Sequence, residues 1–243
     1  MTDREKRAEY EKKAIADRIS ILDNEDNYKA YLAKMALFHY YSCRNIILID
    51  WQNPNASWLE SFSFWKKNGR IVKKGEKSIR IIAPIVSSKK TEEPDELIPY
   101  AYTNISLFDF SQTEPSRWRT SSAFQANPDT VLNYETIAGR LGAICGNSSA
   151  FSSKISEDKK IKMIVYKTVY SMLGCMAPDK KNLEMEALSA LYVVCSALKL
   201  GISDINLHGM KNWAEGKSVK ERAKSLERIR KAAHAIIEQV KNS

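Results

Sequence analysis

The residues of this chain that could do chemistry crowd between Tyr40 and Arg80. Tyr40, Tyr41, Trp51, Trp58, Phe62, Phe64 and Trp65 come first, and Arg70, Lys73, Lys74, Lys77 and Arg80 follow. A nucleic-acid single strand is held by two devices: cations that track its phosphates, and aromatic faces on which unpaired bases stack, at about 1–3 kcal/mol per base. Both occur here at close spacing. Part of the aromatic set must serve as core, because the surrounding region is small. Asn45 has two readings, a turn-bonding residue or a base contact.

The charge has the same address. Residues 28–90 carry twelve Lys and Arg against Asp50, Glu60 and Glu76, a surplus of +9 that equals the formal net charge of all 243 residues. A local basic footprint of this kind suits a polyanion, although a solvated lysine-rich hairpin would carry the same charges. Hydrophobic residues at 44% exclude a disordered chain, and 9 Gly and 7 Pro exclude a collagen-like or low-complexity one.

Catalytic candidates are scarce. The only histidines are His39, His208 and His234, and no two are helix neighbours. The cysteines Cys43, Cys145, Cys175 and Cys195 form no CxxC pair, which predicts reduced thiols in a cytoplasmic protein, neither a disulfide framework nor a zinc cage. His208 and His234 read as surface residues, and Cys175 and Cys195 as buried thiols on apolar helices. No Ser-His-Asp, Cys-His, P-loop or Gly-rich nucleotide pattern is present. The N-terminal stretch Met1–Arg7 mixes both signs and leads into no apolar h-region, which predicts no secretory signal. The longest apolar run, Ala190–Cys195, is far short of a membrane span.

The elements that must position these residues follow from period and punctuation. Residues 4–23 predict a charged amphipathic helix. Tyr28, Tyr31, Leu32, Met35 and Phe38 recur at the spacing of a second helix. Ser42 caps a short helix, Cys43–Gln52, that ends at Asn53-Pro54-Asn55. A further segment, 57–67, stops at Asn68-Gly69. The β-branched runs around Lys73-Lys74-Gly75-Glu76 predict a β-hairpin over 70–84, residues 86–98 a charged loop, and 100–110 a third strand. Residues 111–130 have a linker composition. Beyond them the chain predicts helices at 131–145, 158–176, 183–200 and 218–241, the last opened by a Ser218–Glu221 capping box.

The motifs now carry a resemblance. Tyr41-Ser42-x-x-Asn45-x-x-Leu48-Ile49, Gln52-x-Pro54-x-Ala56, Phe64-Trp65-x-x-x-Gly69-Arg70-x-Val72-Lys73-Lys74-Gly75-Glu76-Lys77 and Ile79 to Pro84 resemble the N-terminal domain of ArdC-type antirestriction proteins. Leu107-Phe108-Asp109-x-Ser111-Gln112-Thr113-Glu114 resembles the same domain's closing strand and turn, so the likeness covers about residues 24–115. Ser78 departs from the family, which often carries Gly there. The resemblance implies single-stranded DNA binding and a home on a plasmid, phage or conjugative element. On that reading Tyr41, Asn45, Trp65, Arg70, Lys73, Lys74, Lys77 and Arg80 are the candidate nucleic-acid contacts.

Glu184-x-Glu186-Ala187, Tyr192 to Cys195, Trp213 and Ser225-Leu226-x-x-Ile229 resemble the later helices of ImmA/IrrE-type metallopeptidases, which follow this domain in many relatives. The helix that should hold HExxH aligns as Tyr170-Ser171-Met172-Leu173-Gly174, which lacks both histidines and the glutamate. Glu184 and Glu186 lie where a family zinc ligand would, and without imidazole partners they read as helix-start carboxylates. The expectation is an α+β protein in which N-terminal helices pack on a small antiparallel sheet, followed by a mainly α-helical, degenerate zincin-like domain. Residues 1–115 form the first domain, 116–130 a linker and 131–243 the second. No catalytic residue, metal or cofactor is expected, and no membrane. Two functions remain: a non-enzymatic single-stranded DNA-binding, antirestriction-like protein, or an interaction module whose degenerate domain docks a host defence or regulatory protein.

Overall fold

The computed structural model describes residues 3–85, 101–116, 134–145, 155–176 and 182–242. The loop at 86–98 and the linker at 116–130 lie outside the described residues, apart from Ser116. The chain divides into two compact units, one of Met1–Ile46 with Asp129–Ser243, the other of Ile47–Pro128. The α+β class stands, but its partition differs from the expected one.

In the helical unit, α1 (Asp3–Ser20) runs through a single 3-10 turn into α2 (Glu25–Leu37), whose N-cap Asn24 accepts from the amides of Asp26 and Asn27. After the start of α3 (Cys43–Gln52) the unit resumes with α5 (Tyr134–Cys145), α6 (Glu157–Met176), α7 (Leu183–Ala197), α8 (Met210–Ala214) and α9 (Val219–Asn242). Helix α7 is central and packs against α2, α6 and α9. It is apolar almost all round, as a helix surrounded by others must be. The N-terminal helices join this unit because the α2 stripe of Tyr28, Leu32 and Met35 has no exposed surface left. Tyr28 Oη hydrogen-bonds Ser189 Oγ on α7 at 2.8 Å, and its ring meets Trp213 of α8 at 5.3 Å. Leu226, Ile229, Ala233, Ile236, Ile237 and Val240 of α9 are all core, and the expected Ser218–Glu221 capping box forms.

In the sheet unit, the second half of α3 leads to β1 (Leu59–Glu60), α4 (Phe62–Lys67), β2 (Arg70–Val72), β3 (Ile79–Ile85), β4 (Ala101–Asp109) and β5 (Thr113–Pro115). An antiparallel sheet runs β1-β4-β3, with Ile79 opposite Leu107 and Ile81 opposite Ile105. The expected 70–84 hairpin does not form. Strand β2 pairs with β5 instead, Val72 opposite Thr113, and β3 pairs with β4. Gly75, at φ 92, turns the chain from one ladder to the other. The free edge of β3 is partly closed by Gln52, whose amide donates to Arg80 O and accepts from Arg80 N, at 2.8 and 2.9 Å. Trp65, Leu59, Ile79, Ile81 and Leu107 form the core of this unit.

Candidate nucleic-acid interface

One buried carboxylate organises the exposed cations of the sheet unit. Asp109, fully buried at the end of β4, accepts from the amides of Ser57 and Trp58 at 2.6 and 2.9 Å, and from the amide and hydroxyl of Ser111 at 2.8 and 2.6 Å. Burial pushes its pKa up, but the Ser111 hydroxyl and the amides of Trp58, Ser57 and Ser111 together hold it below the usual value. Gln112 closes the turn by accepting from the Asp109 amide. Its amide nitrogen also reaches the Gly75 turn, donating to Glu76 Oε2 and Lys77 O, both at 2.9 Å. The Asp109-x-Ser111-Gln112 motif is therefore the brace that fixes the basic turn in place.

Phe110 stands on this brace with 37% of its surface exposed. The Arg70 guanidinium lies over its ring at 3.9 Å, and Trp58 lies nearly parallel to it, 11° off, at 6.2 Å. Thr113 holds Arg70 in this pose, its Oγ1 accepting from Nε at 2.7 Å and its carbonyl from a terminal nitrogen at 3.0 Å. Lys73 Nζ donates to Ser111 O at 2.8 Å. Lys74 and Lys77 project from the Gly75 turn and are exposed, as are Lys66 and Lys67 at the end of α4. A flat, permanently charged guanidinium continuing an aromatic stack, rimmed by lysines, can take an unpaired base on its face and phosphates at its edge.

Several expected contacts fall elsewhere. Trp65 has no exposed surface and donates from Nε1 to Phe108 O at 2.9 Å, so it is core. Asn45 is 6% exposed and lies in the first turn of α3, where its backbone amide donates to Ser42 Oγ at 3.3 Å. Tyr41, half-buried against Phe38 and Tyr40, belongs with Asn45 to the helical unit. Arg80 sits on β3, where its backbone is engaged by Gln52. Arg70, Lys73, Lys74 and Lys77 are brought together. Phe110 is new, hidden in the unspecified position of its own motif, and of the aromatics that precede the basic turn Phe62 is 54% exposed.

The helical unit corrects three further expectations. Glu186 is not a solvated helix-start carboxylate: it is buried, accepts from Ser225 Oγ and pairs with Arg228, whose Nε donates to Oε2 at 3.0 Å. Cys175 is exposed, whereas burial pushes the thiols of Cys43 and Cys195 up to about 12. His234 is half-buried and faces His39, while His208 is exposed beside Glu25 at 3.0 Å. An open cleft on α6 and the start of α7 is lined by Tyr166, Lys167, Tyr170, Ser171 and Glu184. Among the described residues its lining offers one carboxylate and no imidazole or thiol, which does not make a zinc-hydrolase donor set. No described helix is long and apolar enough to cross a membrane.

With this geometry in place, the comparisons define a class. Residues 23–108 match the family model of the N-terminal domain of anti-restriction factor ArdC, and the chain carries a domain of that type. The fold is similar to the metal-free crystal structure of the antirestriction protein ArdC from the R388 plasmid, with a TM-score of 0.50 and 16% identity over 83% of this chain and 86% of that one. The Mn(II)-bound crystal structure of the same plasmid protein gives a TM-score of 0.47 at the same identity and coverage. A search of curated protein sequences finds no match.

Proposed function

We propose that this chain is a non-enzymatic, sequence-tolerant single-stranded DNA-binding protein of a plasmid or phage, with an antirestriction role. The observation that carries this reading is the Arg70–Phe110 stack, held by Thr113 and rimmed by Lys73, Lys74 and Lys77, on an ArdC-type N-terminal domain. Arg70, backed by Phe110, receives a base, and the lysines meet phosphates without reading sequence, since a π-face and a phosphate are common to every nucleotide. The helical unit is a scaffold.

A mobility shift with matched single-stranded and duplex oligonucleotides tests this. The expected result is a shift with the single strand at concentrations that leave the duplex free. Equal affinity for both, or none for either, refutes it. In the latter case a stoichiometric complex with a host protein that survives Lys73→Glu/Lys74→Glu replacement would favour the docking reading.

A further inference from the structure

Three side chains from two stretches of the helical unit that are remote in sequence converge beside the turn that follows α2. The Nδ1 atoms of His39 and His234 face each other at 2.9 Å, with ring centroids 5.2 Å apart. Glu238 stands one helical turn beyond His234 on α9, and one potential ligand atom from each of the three lies within 4.8 Å of the others. His39 is buried, and His234 and Glu238 are half-buried.

The backbone on both sides is held. On α9, Glu227, Arg230, His234 and Glu238 recur every three or four residues and so share a face. Glu227 accepts from the Cys43 amide at 2.9 Å, Arg230 donates to His39 O at 2.9 Å, and Glu227 pairs with Arg230 at 2.7 Å. The two imidazoles are therefore brought face to face by a polar stripe with its own anchors, not by a chance meeting of long side chains.

Two imidazoles that meet through the same ring nitrogen can share only one hydrogen between those atoms. A divalent ion in that place satisfies both lone pairs at once and adds a carboxylate as third ligand. Zinc holds imidazole nitrogen at about 2.0–2.1 Å, which sets two nitrogens of a tetrahedral site about 3.3 Å apart. Opening the pair by a few tenths of an ångström seats the ion. Two imidazoles with one carboxylate suit zinc and its first-row neighbours and not magnesium or calcium, which require oxygen-rich shells.

We propose that His39, His234 and Glu238 form a binding site for a zinc-class divalent ion, which ties the turn after α2 to the C-terminal helix α9. The site is separate from the α6–α7 cleft and does not depend on the DNA-binding reading.

The experiment titrates Co(II) and then Zn(II) into chelator-treated full-length protein, following the Co(II) visible bands and the melting temperature. The expected result is one ion per chain and a Tm rise of about 5 °C at a hundredfold excess over Kd, reversed by chelator. His234→Ala and Glu238→Gln each weaken binding by at least about tenfold. His208→Ala, at the exposed third histidine, binds as the parent does. Should His39→Ala fail to fold, the two half-buried α9 positions carry the test. No saturable uptake at about 100 μM metal, or uptake unchanged in both α9 variants, overturns the proposal and leaves a plain imidazole–imidazole hydrogen bond.

Discussion

Arg70, on β2, and Lys73, just beyond it, have different tasks in the proposed interface, and substitution separates them. Phe110→Ala removes the ring beneath Arg70 without removing charge. Single-strand affinity should then fall about tenfold while its salt dependence stays as it was, because stacking releases no counterions. Replacing Lys73, Lys74 and Lys77 with Ala should flatten the dependence of log K on log salt by about 0.7 for each phosphate no longer neutralised. Titrations at two salt concentrations check both. If the Phe110 variant moves the slope and the lysine variant does not, the assignment of stacking and phosphate roles is reversed.

Asp109 belongs to the same scale. Its folded pKa lies below the ordinary value near 4, so its contribution to stability is complete above that value and is lost as pH falls through the depressed one. The sheet unit should therefore give up this contribution only as pH falls below the range in which ordinary surface carboxylates protonate. Asp109→Ala strands the amides of Ser57 and Trp58 and should cost about 3 kcal/mol at neutral pH. Urea titrations of the parent and the variant at pH 7 and pH 3 measure this, and the gap between them should narrow at the lower pH.

Elements were legible wherever their signals are local. Cys43–Gln52 is bounded as read, because Ser42 caps one end and Asn53-Pro54 stops the other. The Ser218–Glu221 box opens α9 where it should. The 70–84 hairpin was not legible: its two runs look self-complementary, yet the partner of Val72 is Thr113, forty-one residues on, and pairing at that separation leaves no short-range mark. Trp65 shows the same limit within the site. An aromatic beside cations reads alike as core or platform until the Phe108 carbonyl is found at its indole nitrogen. Phe110 had only the position between two motif residues, and no periodicity to single it out.

The buried Glu186–Arg228 pair locks α7 to α9 and makes an element-scale prediction. Arg228→Ala removes the cationic partner of the buried Glu186, which should cost about 3 kcal/mol. The double replacement Glu186→Leu/Arg228→Met should recover most of that. Thermal melts of both variants decide it. A double variant as unstable as the single would mean that the loss arises from packing and not from the orphaned charge.

At the scale of the molecule, the surplus of +9 within residues 28–90 was the first hint of a polyanion. The fold divides that surplus: Lys29, Lys34 and Arg44 go with the helical unit, and the cations from Lys66 to Arg80 go with the sheet unit. The N-terminal helices, which adjacency in sequence assigns to the first domain, belong with the C-terminal helices because the α2 stripe is buried against α7. Sequence order conceals this, since the unit is closed by residues more than 150 positions apart. The same closure brings His39 to His234. Each reads as an isolated histidine, and only the fold makes them a pair.

We propose that this basic, aromatic surface grips the phosphates of a single strand through a handful of lysines and arginines. It is tested most directly by the affinity of the parent protein for a fluorescent single-stranded oligonucleotide, measured by anisotropy across a salt series. About four neutralised phosphates predict a slope of log K against log salt near −3. An affinity that does not change with salt would contradict the account.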